Sequence, residues 1–202
     1  MRMTKKLRLI LLVALASLFL IGQASPAGAH RNDESYLYLD IGDAALSGRV
    51  EMPYPDVRSE LGLEISGSAD ELLAEFEDNL DMLQTYADDN TEIGAEGIVW
   101  PVEFDGVELL TEEGSDPNGL GYVVLPFTVD LDVPEVPQLL EATFTPFLAE
   151  IPDRNNITLV SNDWRRGVFE EETNELLIHT ADSPSGEIDL GDSSQWQNFR
   201  AS

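Results

Sequence analysis

The chain has no cysteine and only two histidines, His30 and His179. Any site for a copper-like ion must therefore be built on them. His30 follows Ala27-Gly28-Ala29, a point at which a leader can be cut. A histidine freed as the first residue offers its α-amine and one imidazole nitrogen to a single metal, closing a small chelate ring. The amine releases its proton readily, its reference pKa being about 7.7–8.0. Such nitrogen ligands suit Cu²⁺ or Ni²⁺, with copper held more tightly. His179, on a predicted strand late in the chain, supplies a third nitrogen in this reading, and Asp33 or Glu34 supplies an oxygen. The competing reading makes His179 an ordinary half-buried strand residue.

Other chemistry is poorly represented. The sequence has no Gly-x-Ser-x-Gly elbow, no His-Glu-x-x-His and no phosphate-binding glycine loop. Carboxylates are so numerous that no pair stands out as a glycosidase acid and base. Asp116-Pro-Asn118-Gly119 lacks the spaced acids and the closing glutamate of a calcium loop, and reads as a turn. Trp164-Arg165-Arg166 reads as a source of ion pairs with nearby acids. The expectation is a non-enzymatic protein with no cofactor other than Cu or Ni at the histidines.

Residues 1–29 have the form of a secretory signal peptide. Arg2, Lys5, Lys6 and Arg8 precede the apolar run Leu9 to Ile21, and small residues follow. The run is shorter than the roughly 20 residues of a membrane span. Cleavage is expected between Ala29 and His30, with Ala24 as an alternative site, and delivers the chain to the periplasm or the exterior. Four of the eleven basic residues lie in this leader, and all 39 acidic residues lie beyond it. The mature chain thus keeps seven arginines and no lysine, for a formal charge of −32. Such a surface excludes nucleic acid and anionic lipid as direct partners, because both need a cationic footprint. It suits a saline medium, where carboxylates stay solvated and their repulsion is screened.

These residues must be positioned by strands. Tyr36 to Ile41 alternates, placing Leu37, Leu39 and Ile41 on one face, and Leu46 to Met52 returns as its partner before Pro53 and Pro55. Ile98–Phe104 and Val107–Leu110 flank Asp105-Gly106 and predict a hairpin. Tyr122–Leu131 is a long strand whose Pro126 predicts an edge or a bulge. Ala142–Leu148, Ile157–Ser161, Gly167–Phe169 and Leu176–Thr180 complete the set. One segment differs. Leu72, Leu73, Phe76, Leu80, Leu83 and Tyr86 recur every three or four residues behind a Ser68/Glu71 capping box, predicting one amphipathic helix over about 69–88. Its outer acids read as a wet face. Short strands separated by turns predict a mainly β, Ig-like antiparallel β-sandwich with that helix inserted. The domain is placed at 30–190, with the polar stretch from Ser183 onward rich in turns and 191–202 a flexible tail.

Ser35-Tyr36-Leu37-Tyr38-Leu39, Leu46-Ser47-Gly48-Arg49-Val50-Glu51, Pro55-Asp56-Val57 and Leu61-Gly62-Leu63, behind a leader ending Ala-His, resemble the extracytoplasmic N-terminal region of the HupE/UreJ-like family. The resemblance is specific only over residues 29–63. It implies an accessory or binding module in the cell envelope, with a protein or membrane-protein partner. Family members usually continue into a bundle of transmembrane helices, whereas nothing after Asp40 here approaches about 18 consecutive apolar residues. Nickel transport, which belongs to that bundle, is not implied for this chain.

Overall fold

The computed structural model describes residues 34–63, 68–111, 121–165 and 176–191. His30, Asp33, the leader, Asp116–Gly119, Gly167–Phe169 and the tail from residue 192 lie outside the described residues.

Strands dominate, and two packed sheets form a β-sandwich. The chain order is β1 (Ser35–Ile41), β2 (Leu46–Pro53), α1 (Tyr54–Leu61), α2 (Ala69–Asp78), α3 (Leu80–Asp89), β3 (Thr91–Ala95), β4 (Ile98–Trp100), β5 (Val102–Phe104), β6 (Glu108–Thr111), β7 (Gly121–Val129), β8 (Leu139–Phe144), β9 (Asn156–Asp163), β10 (Leu176–His179) and β11 (Ser185–Asp189). The larger sheet runs β10-β9-β1-β2-β7, with β5 and β6 both laid against the far side of β7. The smaller runs β11-β8-β3-β4. All pairings are antiparallel except β1 with β9, which is parallel.

The alternation in β1 does what its period requires. Leu37, Leu39 and Ile41 are fully buried between the sheets, beside Val50 and Met52 of β2 and Leu125 and Phe127 of β7. Ile93, Trp100, Leu140 and Phe144 face them from the smaller sheet. The opposite side of β1 is also apolar. Tyr36 and Tyr38 form a second cluster with Tyr122 and Val124, outside the sandwich interior.

Several expectations need correction. The helix predicted over 69–88 is two helices that meet at Asn79. The capping box at its start is present, Ser68 N donating to Glu71 Oε2 at 2.8 Å and Glu71 N to Ser68 Oγ at 3.4 Å. Asn79 then takes φ −111° and its side-chain amide donates to the Glu75 carbonyl at 2.8 Å, so it competes with the backbone ladder and ends the first helix. The apolar spacing carries across the break, and Leu72, Phe76, Leu83 and Ala87 all enter the main core. A further helix, α1, begins where the prolines were expected only to stop pairing. Pro55 occupies its first turn, where a missing amide costs nothing, and Gly62 at φ 66° closes its end.

Asp105-Gly106 makes no hairpin. β5 and β6 do not pair with each other but line up along β7, and Asp105 N donates to the Pro126 carbonyl at 2.9 Å. Pro126 is therefore interior to the sheet, at the place where its neighbour is interrupted. The tight hairpin instead joins β3 to β4 through Glu96 (φ 54°) and Gly97 (φ 75°), both in the left-handed region a type I′ turn requires. Pro101 then carries the chain from one sheet to the other. β8 ends at Phe144 rather than Leu148, and the stretch from Ser183 holds strand β11.

Candidate functional site

His179 ends β10, and the strand registers place it in one row with Asn156 of β9 and Ser35 of β1. All three are fully buried at one end of the sandwich interior. Neither ring nitrogen is free. Nδ1 lies 2.8 Å from the Pro184 carbonyl, which only accepts, so Nδ1 carries the proton. Nε2 then accepts from the Thr158 hydroxyl at 2.7 Å. Phe144 meets the ring edge-on, 6.1 Å between centroids. Burial lowers the imidazole pKa from its ordinary value, partly opposed by the bond to Pro184. This is a neutral histidine that ties β9 to the start of β11, where the chain passes from one sheet to the other.

The register also bears on the N-terminus. Ser35 is two strands from His179, about 10 Å at the usual strand spacing. His30 lies five residues upstream of Ser35, a chain reach of up to about 17 Å. A metal shared with His179 would have to displace Thr158 or Pro184 from the ring. Glu34 is not brought to His179. It lies beside Tyr36, on the outer face, and accepts from the Tyr36 hydroxyl at 2.8 Å. Among the described residues no three His, Asp or Glu side chains converge as a metal cage.

The outer face of the larger sheet is aromatic and charged together. Tyr36 lies 6.0 Å from both Tyr38 and Tyr122. The Arg49 guanidinium sits 4.1 Å over the Tyr38 ring while its Nε donates to Glu51 at 2.6 Å. Burial, with Tyr36 and the Glu51 and Glu34 carboxylates, pushes the Tyr122 phenol above its usual range.

The outer face of the smaller sheet is different in kind. One outward row crosses all four strands as Glu187, Glu141, Gly94 and Val99, and the next carries Ser185, Thr143 and Glu92. These residues, with Ile98, line a shallow groove open to solvent. Gly94 leaves the middle of the row without a side chain, and a Cβ there would run into the Ile98 carbonyl. Glu141 is held by the Gly97 amide at 3.3 Å, and the Thr143 and Ser185 hydroxyls meet at 2.8 Å.

The arginines behave as their surroundings demand. Arg165, expected to pair with an acid, meets Asp163 at 3.2 Å with both side chains buried and donates to the Val136 carbonyl. Sequence reasoning missed Arg154, whose buried guanidinium reaches Asp56 of α1 at 2.6 Å and lies 5.1 Å over the Phe147 ring. No local pattern links residues 56 and 154. It also missed the groove, although the alternation Leu140-Glu141-Ala142-Thr143-Phe144 was available to show which side chains face outward.

Among the described residues no helix is long and apolar enough to cross a membrane. No protein-family model matches the sequence, and no curated protein matches it.

Proposed function

We propose that this chain is an exported, non-enzymatic binding or accessory module of a cell-envelope assembly, comparable in role to the ectodomain of HupE/UreJ-like proteins. The observation that supports this reading most is the division of labour between the sandwich's interior and its surfaces. Large side chains from both sheets fill the interior, whereas the polar side chains left for recognition stand on a solvent-facing groove. A rigid scaffold presenting a shaped face is what a docking module needs. The leader-like residues 1–29 supply the route out of the cytoplasm, and the acidic balance directs the module toward protein rather than nucleic acid or anionic lipid.

Photo-crosslinking residues at Val99, Thr128 and Asp81, on three different surfaces, test this in the producing cell. A discrete adduct in the envelope fraction from one surface and not the others is the expected result. Equal labelling from all three, or none, refutes it.

A second reading, Cu²⁺ or Ni²⁺ held by a processed His30 with His179, has the strand register in its favour and the two hydrogen bonds of the His179 ring against it. Mass spectrometry of the secreted protein, then copper titration of wild type and His179→Ala, decides it. Unchanged affinity removes His179 from the site.

A further inference from the structure

We propose that the groove on the outer face of the β11-β8-β3-β4 sheet is the docking surface, and that its occupant is an extended, lysine- or arginine-rich segment of the partner protein. The proposal rests on the binding-module reading and names the face and the chemistry. Among the described residues the face is open: Val99 is 59% exposed, Ile98 49% and Leu139 44%. On the outer face of the larger sheet the tyrosine patch is covered, Tyr36 being 2% exposed, while Leu110 and Ile178 at its two margins are 44% and 50% exposed.

Charge complementarity selects the occupant. Glu187 and Glu141 are direct cross-strand partners, and Glu92 lies one row away across β8 and β3. Like charges directly opposite one another weaken a sheet. Among the described residues of this face none is basic. On the other sheet Arg49 sits beside Glu51 at 2.6 Å and relieves its charge.

The apolar component narrows the chemistry further. Val99 ends the outward row that contains both glutamates, and Ile98 adjoins it. Lysine and arginine carry aliphatic stems that pack on such side chains while the cationic head reaches a carboxylate. Gly94 keeps the centre of the row free of a side chain, the space a Cβ would take being filled by the backbone of Ile98 in β4. Crossing four strands spans about 14 Å, which an extended segment covers in four or five residues.

Fluorescence anisotropy with a short labelled peptide of alternating lysine and valine tests the assignment on the mature protein. The paired substitutions Glu141→Gln and Glu187→Gln are expected to weaken binding about tenfold, two exposed charge contacts being lost. Asp81→Asn with Asp88→Asn removes the same charge from exposed positions on α3, and is expected to leave affinity within about twofold. Val99→Lys is expected to weaken binding without altering the melting temperature. Equal losses in the two double variants would show diffuse attraction to an acidic protein and overturn the proposal. So would calcium binding that depends on Glu141 and Glu187 while the peptide fails to bind. If the peptide fails but crosslinking still finds one surface in cells, the cationic-segment assignment falls and the binding-module reading stands; an adduct from Thr128 or Asp81 and not Val99 overturns the face as well.

Discussion

Removing Asp56 should hurt this protein more than removing the arginine it serves. Arg154 is 4% exposed at its side chain and Asp56 is 27% exposed, with 2.6 Å between Nη2 and Oδ2. Nε and Nη1 of the same guanidinium are buried with no acceptor. Among the described residues the carboxylate is thus the only anion hydrogen-bonded to a cation already removed from water. Breaking a buried pair by deleting one partner costs roughly 3–5 kcal/mol, because the remaining charge is stranded. Water reaching past a quarter-exposed Asp56 places Asp56→Ala at the lower end, about 3 kcal/mol, or a fall of ~6–12 °C in melting temperature for a chain of this size. Arg154→Met keeps similar volume and a contact with the Phe147 ring, and should lie within about 1 kcal/mol of wild type. The double variant should recover most of the loss, retaining a deficit of about 0.3–1 kcal/mol because Asp56 also sits in the first turn of α1. Urea unfolding of the three variants measures this. If Arg154→Met is destabilised as much as Asp56→Ala, or if the double variant is no better than Asp56→Ala, the pair is net stabilising and the stranded-charge argument is wrong.

Three other outcomes follow from the same structure. His179 has a lowered pKa when folded, so the unfolded chain takes up a proton first; stability should be complete above about pH 6.5 and fall with acidification below it, by up to ~1.4 kcal/mol per pH unit. His179→Gln should flatten the dependence immediately below pH 6.5, and an unchanged slope there would assign it to other groups. With a formal charge of −32 on the mature chain, the melting temperature should rise as NaCl is raised toward molar concentration; a flat or falling trend removes the saline reading. Glu96 occupies a left-handed conformation at the β3–β4 turn, where asparagine is at less cost, so Glu96→Asn should stabilise by up to about 1 kcal/mol and Glu96→Gln, the charge control, should not.

What the sequence made legible was periodic. β1 and its buried face, the return strand β2 and the apolar stripe from Leu72 to Tyr86 all follow from spacing alone, because a pleat or a helical turn repeats often enough to be seen. Failures cluster where one residue outvotes the period. Asn79 stops a helix whose apolar spacing continues through it, and Pro55 starts one where proline usually ends a strand. Asp105-Gly106 has the chemistry of a hairpin turn, but β7 takes both flanking strands as its own neighbours, and this competition is set by distant pairing that no short window contains.

The same distinction governs the candidate sites. His179 drew notice because histidine is rare here, yet its burial and its two bonds come from β9 and the β10–β11 connection. Rarity marks a residue; the neighbours that decide its chemistry arrive only with the fold. Glu141 and Glu187 present the reverse case. In a chain with 39 acids neither one is conspicuous, and 46 residues separate them. The sheet makes them direct neighbours on an open face, and their mutual repulsion then has a consequence. Neutralising either alone should stabilise the protein slightly, by about 0.2–1 kcal/mol, and neutralising both should add little more, since the repulsion needs both charges. Additive gains in the melts of Glu141→Gln, Glu187→Gln and the double variant would mean that the two carboxylates act independently. The strained pair that makes this face a receptor for cations would then not exist.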